Sequence, residues 1–185
     1  MTTVDWGPGA NDNATGVAAL LSLARRLGAN PPGRVRVILL SNGCEESILE
    51  GMDAYWRRHR SELPREHTRV IGVETIGSPH VLLLEGEGML GIREYPKPFL
   101  DFVRSCAHDA DVYVYPNLRF QNSTDAVIPL KQGYDCALIG SCDDYKFPTN
   151  YHWHTDTPDR IDYETVAEGA RLFARIVERL DEGRW

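Results

Sequence analysis

Segments of helical period alternate with short apolar, β-branched runs along nearly the whole chain, and that alternation restricts the fold more than any other feature. Residues 13–27 (NATGVAALLSLARRL) place Val17, Leu20, Leu21, Ala24 and Leu27 on one face of a predicted helix. Asn11 and Asp12 stand at its start as candidate caps and Gly28 at its end. Residues 34–40 (RVRVILL) read as a strand whose apolar end is expected inside a sheet. A helix over 48–60, strands over 68–75 and 81–84, and a helix over 99–108 behind Pro96 and Pro98 follow. A short helix over 125–132, a strand over 136–139 and a last helix over 163–180 complete the order. Val166, Ala170, Phe173, Ile176 and Val177 are the expected buried face of that last helix. The pattern predicts one α/β domain over 1–185, with a mixed, mainly parallel sheet covered by helices. It opens on a helix behind a Gly/Pro-rich loop rather than on a strand, so an N-terminal piece is expected to be absent.

The balance of residues narrows the function classes. With 42% hydrophobic and 25% charged residues, the chain is ordinary for a globular protein and able to bury a core without disulfides. A net charge of -7 and a pI of about 5.3 argue against nucleic acid or an anionic membrane as partner. They fit a protein that gathers carboxylates around a cation. No apolar run is long enough to span a bilayer. The opening MTTVDWGPGA has neither the basic region nor the apolar core of a signal peptide, which leaves the cytoplasm as the default expectation. Cys44, Cys106, Cys136 and Cys142 form no CxxC pair, so reduced thiols are expected, with a Cys136–Cys142 disulfide open on sequence alone.

Sites in open α/β sheets form where loops leave the carboxyl ends of strands. Glu45 and Glu46 follow one predicted strand, Glu74 ends the next, and Asp12 opens the first helix. Adjacent glutamates in a loop point in different directions, so one can bind a metal while the other stands beside an attacking water. Each residue also has a plainer reading. The Glu pair suits a helix start, Asp12 an N-cap, and Glu74 a solvated strand end. In TNYHWHTDTPDRID, His152 and His154 lie two apart, and either ring could reach a zinc ion or be packed against Asp156 or Asp159. Spacing alone does not choose between them. His59, His67, His80 and His108 have no acidic companions and read as surface residues.

Four segments in order, GPGANDNATGVAALLSLARRL, CEES, VIGVETIG and NYHWHTDTPDRID, resemble the metal-binding motifs of the zinc aminopeptidases. That family includes bacterial leucyl aminopeptidases, glutamate carboxypeptidase II and, by fold, glutaminyl cyclases. The resemblance spans nearly the whole chain. It implies a three-layer zinc-exopeptidase-like sandwich with its leading strands missing. It also implies a zinc-dependent exopeptidase that cleaves the N-terminal peptide bond of a peptide with a free amino terminus. In that pattern Asp12 bridges two zinc ions, Glu46 and His152 complete the first site, Glu74 belongs to the second, and Glu45 is the general base. His152 is selected because it lies four residues before the Asp156–Thr157 pair, which leaves His154 as a fallback ligand. Two departures are visible. Glu74 stands where the family usually has Asp. The family's upstream His-x-Asp motif, which supplies the remaining ligand of the second site, has no counterpart after Met1. One firm zinc and one weak or empty site are therefore expected, in an N-terminally truncated domain with exposed sheet edge and helix surface. The alternatives are a catalytically impaired metal- or partner-binding relative and a glutaminyl cyclase-like or carboxypeptidase-like enzyme. Asp125 and Tyr145, from the segment where the family builds its pocket wall, are the candidate substrate contacts. Trp153 is expected either to border the site or, as the plainer reading, to pack in the core. Oligomeric state is not legible.

Overall fold

The computed structural model describes residues 7–185. The reading of the first ten residues as no signal peptide falls mostly on residues 1–6, which lie outside those described. Among the described residues there are five α-helices and six strands. They are α1 (Thr15–Ala29), α2 (Glu50–His59), β1 (Arg69–Val73), β2 (His80–Leu84), β3 (Gly86–Glu87), β4 (Arg93–Glu94), α3 (Lys97–Asp109), β5 (Arg119–Phe120), α4 (Val127–Lys131), β6 (Asp135–Cys142) and α5 (Tyr163–Asp181).

β6 is the middle strand of the main sheet, parallel to β1 and antiparallel to β2. Its residues are buried from Cys136 through Cys142, so both of its faces are covered, as the run CALIGSC leads one to expect. α5 packs on β2, β6, α1 and α3, while α4 touches β6 and carries α2. Phe99, Val103, Ile139, Leu172 and Ile176 form the fully buried centre between these layers. Asp162 starts α5 by accepting a hydrogen bond from Thr165 N at 3.1 Å. A second small sheet, β4-β3-β5, pairs Gly86 and Glu87 antiparallel to Arg93–Glu94 and parallel to Arg119–Phe120. The result is a mixed sheet in two pieces between helices. It places the carboxyl end of β1 and the small sheet around one cleft.

Three sequence expectations are corrected. Residues 34–40 pair with no strand among the described residues, and Ile38 is 46% exposed. The run has the composition of a buried strand, but a strand exists only against a partner. Here Gly33, Arg34 and Val35 instead donate to the Asp181 carboxylate at the end of α5, at 2.5–3.1 Å. In α1 the buried residues are Thr15, Gly16, Ala19 and Leu23, while Leu21 is 61% exposed and Val17 is exposed too. That helix is apolar on two sides, so period alone could not say which side meets α5. In α5, Leu172 and Ala174 are buried while Val166, Ala170 and Val177 are only partly so. Apart from these corrections, all four cysteines are free, which is the reduced state the sequence reading took as default. Cys136 and Cys142 lie six residues apart on one strand, a separation of about 20 Å that no disulfide spans.

Candidate active site

The turn Ala10–Ala14 leads into α1 and carries Asp12, whose side chain is buried. Its two asparagine neighbours rivet the turn to the loop after β1. Asn11 accepts from Gly77 N through Oδ1 at 2.8 Å and donates through Nδ2 to Ser78 Oγ and Thr149 O, both at 3.2 Å. Asn13 donates to Val73 O at 2.9 Å and accepts from Thr75 N and Gly16 N, both at 3.2 Å. With the helix start served by Asn13, Asp12 is not the cap that the plainer reading made it. Its carboxylate turns toward the C-terminal loop, where His152 Nε2 lies 3.3 Å from Asp12 Oδ2.

The loop between 41 and 49 brings in the glutamate pair. Cys44, Ile48 and Leu49 take left-handed conformations, and Leu49 N donates to Glu45 O at 2.8 Å, so the loop closes tightly around the pair. Glu46 points to His152, with Oε1 3.4 Å from Nε2. Glu45 points into the cleft. Burial above all, then the charges of Glu46, Asp125, Asp12 and Glu87, push its carboxyl up to about 8. Glu74, at the end of β1, lines the same cleft. Its carboxyl is held well above the usual range by burial first and by Asp12, Glu45, Asp125 and Glu46 after that. A bound cation acts on all these groups in the opposite direction.

Among the described residues, Asp12, Glu46 and His152 form the group whose donor atoms lie within 4.8 Å of one another. Zinc bonds of about 2.0–2.2 Å at tetrahedral angles put neighbouring donors roughly 3.3–3.6 Å apart. The two separations from His152, 3.3 and 3.4 Å, fall in that range, and its Nε2 is buried without a hydrogen bond. These residues fit a zinc ion. Glu74 stands outside this group but lines the same cleft as Asp12. His154 is exposed, so the structure separates the two histidines that spacing could not.

The cleft has a volume of about 1340 Å³. Ile48, Met89, Leu90, Ile92 and Phe147 give it an apolar rim, with Arg93 and Lys131 in its wall. Asp125 does not line it. Its Oδ2 accepts from Asn42 Nδ2 at 2.8 Å, tying the wall to the loop of the glutamate pair. Its carboxyl is raised by burial, against the pull of that bond. Tyr145 is 90% exposed and is no part of the wall, because the turn at Asp143 directs it outward. Trp153 is exposed rather than in the core.

Three features escaped the sequence reading. Tyr151 lines the cleft and stacks on His152 with 3.9 Å between ring centroids. Burial, followed by Asp12, Glu46, Glu74 and Glu45, raises its hydroxyl well above the usual range, so it stays a proton donor. Its position directly before His152 was the available signal. Asn11 and Asn13 were read only as helix-start residues. Asp156 was read as a partner for a histidine ring. It instead accepts from Asn11 N and Asp12 N at 2.6 and 3.1 Å.

Two carboxylates and an imidazole within reach of one ion form the donor set of a metal site. The sequence model of peptidase family M28 matches residues 2–177, and the chain belongs to that family. A comparison with curated proteins finds no match. Among solved structures, BSAP, a zinc aminopeptidase from Bacillus subtilis, is similar with a TM-score of 0.75 and 20% identity, over 96% of this chain and 43% of its own. LapB from Legionella pneumophila is similar at 0.79 and 17% identity, over 94% of this chain and 48% of its own. A glutaminyl cyclase from an Acidobacteriales bacterium is similar at 0.78 and 20% identity, over 96% of this chain and 63% of its own. This chain thus spans less than half the length of the first two.

Proposed function

We propose that the protein is a zinc-dependent exopeptidase of the aminopeptidase type. The observation that carries the reading is the meeting of Asp12, Glu46 and His152 from three separate loops, with Glu45 beside them. Zinc bound there would polarise the scissile carbonyl and acidify a water molecule. Asp12, Glu46 and His152 would hold that ion. Glu45 takes the proton of the attacking water and returns it to the departing amine nitrogen. Its carboxyl suits both tasks, because burial and neighbouring charge have moved it toward neutrality. Tyr151 faces the same space with a hydroxyl that keeps its proton. Glu74 and Asp12 would be the ligands this segment offers a second ion. The apolar rim of the cleft suits a peptide with apolar side chains near its free amino terminus.

The test is Glu45→Gln in the zinc-loaded protein, assayed with aminoacyl-nitroanilides. Turnover is expected to fall by about 10²–10⁴-fold with zinc content unchanged. Turnover near that of the parent would remove Glu45 from the base role. A second reading, glutaminyl cyclase chemistry, draws support from the single complete set of three ligands and from the likeness to the cyclase fold. The same preparation converting an N-terminal glutaminyl peptide while sparing the nitroanilides would favour it.

A further inference from the structure

We infer that Asp156 is a positioning residue of the metal centre, a clamp between the backbone that carries Asp12 and the loop that carries His152. The inference rests on the metal-centre reading above and assigns a task to a residue outside the ligand set. Asp156 is buried, and its two oxygens act separately. Oδ1 accepts from Asn11 N at 2.6 Å and Oδ2 from Asp12 N at 3.1 Å. Its backbone carbonyl accepts from Ala10 N at 3.2 Å. Three consecutive N–H groups of the turn before α1 therefore end on one residue, four positions after His152.

A carboxylate serves here for an electrostatic reason. Two adjacent backbone N–H groups of the turn, those of Asn11 and Asp12, converge on its two oxygens. Hydrogen bonds to a carboxylate are roughly twice as strong as those between neutral groups. The Asp12 carboxylate is then left to face the ion.

The same contacts transmit position. Asp156 N donates to Trp153 O and Trp153 N to Asn150 O, both at 3.0 Å, while Thr155 Oγ1 donates to Asn150 Oδ1 at 2.8 Å. The loop 150–156 is a run of tight turns, with His152 itself in a left-handed conformation. Where Asp156 is held, His152 is held. The 3.3 Å approach of His152 to Asp12 is thus held by this one residue, whose side chain grips the Asp12 turn and whose backbone N–H grips the His152 loop.

The test is Asp156→Asn, which keeps the shape but turns an amide NH2 toward a backbone N–H. Zinc affinity, measured by competition with a chelator, is expected to fall about 10–100-fold, as for other residues that orient metal ligands. The visible spectrum of the cobalt-loaded protein is expected to change as well. Asp162→Ala, which removes the cap of α5 and touches neither loop, serves as the stability control. Its zinc affinity is expected to stay within about twofold of the parent. Asp156→Asn matching the parent in both affinity and cobalt spectrum overturns the inference. If that variant does not fold, hydrogen exchange in the parent decides. The Asn11 and Asp12 amides are expected to be strongly protected, and exchange at the rate of open loops overturns the inference. None of these readouts is hydrolysis, so failure to cleave peptides would count against the proposed function and not against the clamp.

Discussion

Glu87 is fully buried behind the cleft wall and accepts every hydrogen bond it makes. Tyr95 OH donates to its Oε1 at 2.5 Å, Thr124 N to its Oε2 at 2.8 Å and Thr124 Oγ1 to its Oε1 at 3.0 Å. Those bonds favour the charged form, yet burial outweighs them and raises the carboxyl above its ordinary value. The sign of the consequence follows. Below the unfolded value of about 4.3 the group is neutral in both states, and its contribution to stability is fully present. As pH rises the unfolded chain releases its proton first, and stability is lost until folded Glu87 ionises too. Urea unfolding of the parent and of Glu87→Gln from pH 4 upward checks this. The parent is expected to lose stability relative to the variant as pH rises, and a gain would contradict the assignment. At this scale the meeting of Asp12, Glu46 and His152 was legible because they sit in ordered motifs. Tyr145 and Asp125 were misplaced because a turn residue's direction depends on backbone angles that composition does not encode.

At the scale of elements, β6 connects core to site. Gly140 lies on β6, where an added Cβ would stand 2.8 Å from the backbone carbonyl of Glu74. The close approach holds Glu74 at the mouth of the cleft, next to the hydrogen bond that Ser141 Oγ donates to Thr75 O. Gly140→Ala must push β6 and the end of β1 apart. A loss of about 1–3 kcal/mol in chemical denaturation is expected, as for other overpacked interiors. Unchanged stability would mean that the strands separate freely there. The long elements were readable from period and composition, and α3, β2, β6 and α5 appear within a few residues of where the pattern put them. The two-residue strands β3, β4 and β5 carry no period to read. Residues 34–40 show the converse: strand composition without a strand, because pairing is decided by distant segments.

Over the whole molecule, carboxylates from the turn at Asp12, the loop at Glu45 and Glu46, and the end of β1 crowd one cleft in a chain of net charge -7. Burial and the neighbouring charges hold the Glu45 and Glu74 carboxyls above the ordinary range, and a cation would act in the opposite direction. No helix among the described residues is long and apolar enough to cross a membrane. Val17, Leu21, Ile38 and Leu39 are exposed. The metal centre is the feature on which the functional reading turns, and zinc-edge X-ray absorption with one equivalent of zinc tests it directly in the parent and in His152→Ala. The expected result is one imidazole nitrogen with carboxylate oxygens at about 2.0–2.2 Å in the parent, and loss of the imidazole signal with weakened binding in the variant. An unchanged spectrum and affinity in His152→Ala, or zinc bound in the parent without any imidazole, would contradict the site.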